Sequence, residues 1–447
     1  MVCRRSLIRS SKRIIFMNKI LCLLKIIIII FLVTGCSEKK ENEKLKFVSL
    51  AWQKESIETN KSIIIKWNEL NPQKQVEYVQ ANWNSIYDYL ITSFETGDVP
   101  DVFHYEASMI TDFGTRGNLT DLKPYLSENI KDDIYPVAWQ SVTLDNGKII
   151  GVPFLFESLI VLYNKDIFSE NNITPPPADK PWSWTDIRNI ATALTKDKDS
   201  DGEVDQWGAA FGLRSSANII INLTLGCGGN YFYLEDNEYE FRINEPEKFL
   251  LSTIHDMIYK YKCASPLAVS QSGSNILPAF YNGKYAMVIG IGTWARQQLI
   301  ENAPENFHWG VLESIEEVTQ EQGSNTQTLS VPSGSKRKKD AVEFIEFFLG
   351  RANLAKLALG DWMNPTRISC RSMQEFQSDS LGWKTCISII DNLKMGPWLR
   401  VPGFSEWKGR VANPLFQEYF LDRMSLEELE MRMNEESNYV LSRYQKK

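Results

Sequence analysis

Aromatic rings standing beside acids and amides are the side chains of this sequence best suited to hold a ligand, and the chain has 13 tryptophans in 447 residues. Trp52-Gln53 and Tyr105-Glu106 each follow a short run rich in β-branched and aromatic residues, so both pairs stand where strand ends open onto loops. A flat ring beside a carboxylate or amide suits a polyhydroxylated ligand, whose C–H faces stack on the ring while its hydroxyls take bidentate hydrogen bonds. The alternative for each pair is a loop aromatic packed on the adjoining core. Asn82, Trp83 and Trp362 are loop positions with the same two readings. Trp182 and Trp184, ahead of a helix starting near Thr185, read as packing residues.

The segment Asp197–Gly208 (DKDSDGEVDQWG) places acids at its first, third, fifth and ninth positions and glycine at the sixth, the spacing of an EF-hand loop. Its twelfth position is Gly208 in place of the bidentate glutamate. Asp197, Asp199, Asp201 and Asp205 therefore read as a weak structural calcium loop or a plain turn, and no other cofactor is expected. Three histidines, His104, His255 and His308, are too few for a multi-histidine metal site. There is no Gly-x-Ser-x-Gly elbow, no His-Glu-x-x-His helix and no phosphate-cradling glycine loop, and nothing marks the carboxylate pair of a glycosidase. No catalytic residue is expected. Cys227, Cys263, Cys370 and Cys386 lack metal-like spacing and read as small core residues or one optional disulfide.

At the amino end, Lys19 and Lys25 flank a short apolar run, Ile20 to Val33, that leads into Val33-Thr34-Gly35-Cys36. That order is a bacterial secretion signal over residues 1–35. The small residue before the cysteine resembles the lipobox, which implies acylation of Cys36 and cleavage before it. A bilayer-spanning helix needs about 20 apolar residues, and Lys25 interrupts a run shorter than that. Met17-Asn18-Lys19 offers an alternative start to Met1. Residues 36–46, almost without apolar side chains, read as a lipidated flexible tether. The first 35 residues hold seven of the 49 basic side chains and none of the 56 acids, so the mature chain has 42 against 56, a net charge of −14. An acidic surface argues against a nucleic-acid partner. The expected location is extracytoplasmic, at the membrane through the lipid.

Beyond the tether, about 410 residues exceed what one hydrophobic core serves, so two lobes are expected. Strand-like and helix-like runs alternate: Lys46 to Ala51, a helix over Ser56 to Leu70 stopped by Asn71-Pro72, a strand at Val76 to Val79, a helix over Ser85 to Thr96 ended by Gly97, and a strand at Asp101 to His104. This βαβαβ order predicts an α/β fold with a parallel sheet. Further helices are read at Asp340 to Leu349, Asn353 to Leu359 and Ser425 to Gln445.

An ordered set of segments then resembles the bacterial extracellular solute-binding proteins of family 1, the group that includes maltodextrin-binding proteins. Its pieces are Gly97-Asp98-Val99-Pro100-Asp101-Val102, Gly147-Lys148-Ile149-Ile150-Gly151-Val152-Pro153, Leu162-Tyr163-Asn164-Lys165-Asp166-Ile167-Phe168, Pro181-Trp182-Ser183-Trp184, Phe280-Tyr281-Asn282-Gly283-Lys284-Tyr285-Ala286-Met287, and Ser335 before the helix at Asp340. The resemblance implies a two-lobed periplasmic-binding-protein-like fold of type II, with a hinge and a ligand cleft between the lobes. Residues 47–156 with about 327–370 would form the first lobe, and about 157–326 with 371–447 the second. Crossings are expected near Phe156 to Leu159 and Gln327 to Val331. It also implies stacking positions at Trp294 and Trp407, with Arg400 gripping ring hydroxyls, and it places Glu157 on a crossing strand as a hydroxyl acceptor or a hinge salt bridge. The function implied is a monomeric carbohydrate binder, for a mono- or oligosaccharide, that serves ABC permease subunits and their ATPase. A non-sugar solute, a secreted carbohydrate-active enzyme and a lipoprotein with a protein partner are the alternatives.

Overall fold

The computed structural model describes residues 43–445; the secretion signal and Cys36 lie outside them. The first strand, β1 (Leu45–Ser49), begins inside the segment expected to be a tether, because Leu45 and Phe47 are apolar and fully buried against the first core. The helix Lys54–Leu70 buries Ser56, Asn60, Ile63, Ile64 and Trp67, a helical stripe along one face. It is followed by β2 (Val76–Gln80), the helix Ile86–Thr96 and β3 (Val102–Glu106). Gly97 ends the second helix at φ +77°, a left-handed conformation that glycine adopts without a Cβ penalty. Strands β2 and β3 flank β1 in parallel, as the βαβαβ order predicts.

The chain then forms β4 (Val152–Glu157) and, after Ser158 alone, β5 (Leu159–Asn164). These two strands belong to different sheets, so the first passage between lobes falls at Ser158, within the expected window. After β5 come β6 (Trp207–Ala210), the hairpin β7 (Phe232–Glu235) and β8 (Glu238–Phe241), β9 (Tyr285–Gly292) and β10 (Trp309–Leu312). The chain returns through β11 (Gln322–Gly323), β12 (Asn325–Ser330), β13 (Asn364–Pro365) and β14 (Leu393–Lys394). The first sheet has the order β13-β4-β12-β3-β1-β2 and the second β10-β5-β9-β6. All of β12 lies in the first sheet, whereas β11 pairs with β14, so the second passage runs through residues 322–325. That is slightly earlier than Gln327 to Val331. The polar composition of β12 hid its start: Asn325, Thr326, Gln327 and Thr328 are all buried strand residues.

One large core lies on one face of each sheet and extends to Phe376, Trp383 and Ile387; separate cores cover the opposite faces. The carboxyl-terminal helix Leu426–Gln445 closes the second lobe, burying Leu429, Met433, Val440 and Leu441. Where β5 pairs with β9 the register shifts between Ile160 and Val161, leaving Gly290 at φ +74° as the extra residue of a β-bulge. All four described cysteines are buried free thiols, so among the described residues the optional disulfide is absent.

Candidate ligand-binding cleft

A cavity of about 200 Å³ lies between the two sheets, and strand ends supply most of its wall. From the first lobe come Trp52 after β1, Trp83 after β2, His104 and Glu106 on β3, Glu157 at the end of β4 and Gln327 on β12. From the second come Asn218 and Trp294, and Asp361 and Met363 close the back. Trp52, 49% exposed, meets Trp294 edge-on across the lobes, with ring centroids 6.1 Å apart. Trp83 is 37% exposed and sets its ring against His104 at 5.7 Å and Tyr105 at 6.0 Å. Three indoles therefore border one cavity from both lobes.

Trp294 is held from beneath and behind. A Cβ at Gly292 would stand 2.2 Å from the indole nitrogen, so the strand end needs glycine for the ring to lie over it. Arg296, fully buried, donates to the carbonyls of Thr293, Leu381 and Trp362 at 3.0, 3.1 and 3.0 Å. Its guanidinium lies 4.1 Å from the centroid of Trp383 and 5.4 Å from that of Trp362, whose rings stack 5.4 Å apart. This staple joins the Trp294 turn to the 361–363 segment that carries Asp361. Trp362 itself serves the staple and does not line the cavity.

The polar wall joins three carboxylates to the amides of Gln327 and Asn218 and the imidazole of His104. The backbone N–H of Leu50 donates to Nδ1 of His104 at 3.3 Å, which places the ring proton on Nε2, 2.8 Å from Oε1 of Gln327. Burial holds His104 neutral, with its pKa lowered to about 4. Asn325 donates to Glu106. Burial, reinforced by the like charge of Glu106, pushes Glu157 up to about 7, against a weaker opposing pull from Lys408. Burial likewise raises Asp361 to about 7, partly offset by the Ser56 hydroxyl.

Of the eight candidate residues, Trp52, Glu106, Glu157 and Trp294 line this cavity. The other four do not. Gln53 is 3% exposed and donates to the Asp361 carbonyl at 3.4 Å, tying the loop after β1 to the back wall. Tyr105 is buried, stacked toward Phe113 with centroids 6.5 Å apart, because alternation along β3 turns it to the opposite face from His104 and Glu106. Arg400 pairs with Asp145 at 3.1 Å across the lobes and borders a different cavity. Trp407 is fully buried in the second lobe, its Nε1 donating to Ser437 at 2.8 Å and its ring 4.8 Å from Phe232 and 5.4 Å from Phe404. Both were expected in the cleft from the family resemblance, but the turn at Gly403 feeds the short helix Phe404–Trp407, which packs into the core of the second lobe.

His104, Gln327 and Asp361 were not singled out from sequence. Asp361 carried a faint signal, an acid beside a tryptophan at the end of a helical run. In the acidic loop, carboxylate oxygens of Asp197, Asp199 and Asp205 lie within 4.8 Å of one another, while Asp201 stands outside that group and accepts from the N–H of Glu203 at 2.8 Å. Gly208 lies in β6. Backbone N–H groups of Ser200, Gly202 and Lys198 already occupy Asp197 and Asp205, as in a self-contained turn.

The profile of the family described as bacterial extracellular solute-binding protein matches residues 50–355. A lipoprotein encoded in the oleD 5′ region of Streptomyces antibioticus is 34% identical over 403 residues, 89% of this chain and 87% of that one. A maltooligosaccharide ABC transporter solute-binding lipoprotein of Streptococcus pneumoniae is 33% identical over 104 residues, 23% and 22% of the two chains. Among solved structures, the sugar-binding protein MalE of Xanthomonas citri superposes with a TM-score of 0.77 at 17% identity, covering 90% of this chain and 98% of that one. The substrate-binding protein Lmo0181 of Listeria monocytogenes, in complex with cycloalternan, does so with 0.74 at 20% identity, covering 89% and 99%. The chain belongs to the family of bacterial extracellular solute-binding proteins, built on the two-lobed α/β fold.

Proposed function

We propose that this protein is an extracytoplasmic carbohydrate-binding lipoprotein, anchored through Cys36, that delivers a saccharide to an ABC-type importer. The observation that carries the reading is the interlobe cavity, where Trp52, Trp83 and Trp294 border the same space as Glu106, Glu157, Asp361 and Gln327. Rings of this kind stack on the C–H faces of a sugar, and acceptors beside them take its hydroxyl protons. Because the wall is drawn from both lobes, a ligand makes more contacts when they are together, and that difference favours the closed form. The closed form then docks on the permease subunits, and the ATPase drives transfer.

The test is calorimetry of the detergent-solubilised full chain with mono- and oligosaccharides, with Trp294→Ala as the variant. A bound sugar at a hundredfold excess over its dissociation constant adds about 2.7 kcal/mol of stability. Removing the Trp294 platform should weaken binding about 10- to 100-fold. Binding of peptides or metals with no response to any saccharide would retain the family and discard the carbohydrate ligand, and hydrolysis of a bound oligosaccharide would discard the passive carrier.

A further inference from the structure

We infer that the saccharide taken by this cleft carries a protonated amine, seated among Glu106, Glu157 and Asp361 beside the indoles of Trp52 and Trp294. The inference rests on the carbohydrate reading above and adds the ligand's charge to it.

The cavity wall contains three carboxylates and no arginine or lysine. They arrive from three places, β3, the end of β4 and the end of the helix Arg351–Asp361, so their convergence is a property of the fold and not of one acidic stretch. His104 adds no counter-charge, since the Leu50 N–H occupies one ring nitrogen and Gln327 faces the other. Lys408 acts on Glu157 from the second lobe, and Tyr78 faces Asp361 from β2.

Two acids elsewhere, the buried Glu247 and the partly buried Asp133, are satisfied from within the protein. Glu247, fully buried, accepts from the N–H groups of Asn230, Tyr231 and Asn244 at 2.5, 3.2 and 2.8 Å and from the Tyr233 hydroxyl at 3.1 Å. Asp133 takes Arg367 at 2.6 Å together with the Ser369 N–H and hydroxyl at 2.8 and 2.6 Å. Asp361 is just as enclosed, at 6% exposure, yet faces the cavity with the Ser56 hydroxyl as its one stabilising neighbour. Asn325 already donates to Glu106, whereas among the described residues no ion pair holds Glu157 or Asp361. Once ionised, a carboxylate is purely an acceptor and is costly to bury uncompensated, so these two call for donors from the ligand. Hydroxyls supply donors without charge. An ammonium supplies three donors and the missing positive charge, and indole faces attract the same cation.

The experiment compares a glucosamine oligomer with its N-acetylated counterpart, a pair that differs in charge and little in shape, alongside a maltooligosaccharide and spermidine. Calorimetry is run on the full chain at low and high salt and between about pH 5 and 6, below the value of about 7 for both Glu157 and Asp361, where an amino-sugar amine stays protonated. The amine should bind at least about tenfold tighter than the acetamide. Its affinity should rise by up to about tenfold per pH unit for each carboxyl that must release a proton, and should fall with salt. Glu157→Gln and Asp361→Asn, which keep shape and remove charge, should each erase most of the preference while melting shows the fold intact. Equal or tighter binding of the acetamide or the maltooligosaccharide would overturn the charge assignment and leave the carbohydrate reading standing. Binding of spermidine with no saccharide response would instead overturn the carbohydrate reading, and the proposal with it.

Discussion

Trp407 separates a ligand platform from a core residue more sharply than any other position, so its truncation is worth working through. The side chain is fully buried, in contact with Phe232 and Phe404. Removing it takes away about 200 Å² of buried apolar surface, ~5 kcal/mol at about 25 cal/mol per Å² as an upper bound. Ser437 also loses the indole N–H that donates to it at 2.8 Å, which adds about 1 kcal/mol. Partial collapse of the cavity offsets some of this, so Trp407→Ala should cost about 3–5 kcal/mol. Urea unfolding is the assay, followed by far-ultraviolet circular dichroism and calorimetric binding under folding conditions. The transition should move to clearly lower urea for the lobe that contains the residue, while the protein that remains folded keeps its affinity. A variant that unfolds at the original urea concentration yet has lost its ligand would refute the core assignment.

Three further outcomes follow from the same geometry. Asp361 has a folded-state pKa of about 7 against an ordinary 3.8, so it favours the folded state below about pH 4 and that contribution is lost as pH rises through 7. Asp361→Asn should therefore stabilise the ligand-free protein by roughly 2–4 kcal/mol at pH 8 and hardly at all near pH 4, measured by urea titration at the two values. Arg400→Ala breaks a pair with Asp145 that is 82% exposed on its acidic side, so stability should change by about 0–1 kcal/mol and saccharide affinity less than threefold in calorimetry. Because backbone N–H groups already occupy Asp197 and Asp205, calcium at about 1 mM, the range of weak extracellular sites, should leave the melting temperature unchanged; a rise that Asp205→Asn removes would make the loop a calcium site. Identical melting with chelator would mark the loop as a plain turn.

Much of the cleft was legible where a local rule reached it. Trp52 and Glu106 follow strands whose parallel order could be read from alternation and helix stops, and strand ends of such sheets face the cleft. Glu157 and Trp294 were placed by the family resemblance, and both line the interlobe cavity. Tyr105 failed by one residue of β-strand alternation, because period two places adjacent residues on opposite faces. Arg400 and Trp407 failed for a different reason. A tryptophan in a Gly-Phe-Ser-Glu-Trp turn looks the same whether the helix it opens faces a cavity or a core, and that is set by the helix Leu426–Gln445 packing over it.

The order and type of many elements and the expectation of two lobes were written in the sequence, because propensity, periodicity, turn chemistry and chain length are read without tertiary contacts. The convergence of Glu106, Glu157 and Asp361 was not, since they stand 51 and 204 positions apart along the chain and meet only when β3, β4 and the helix before Met363 share one cavity. Contact between such distant residues depends on the summed packing of both lobes. Tertiary structure alone therefore decided which tryptophans line the interlobe cavity and left three acids there without a basic lining residue.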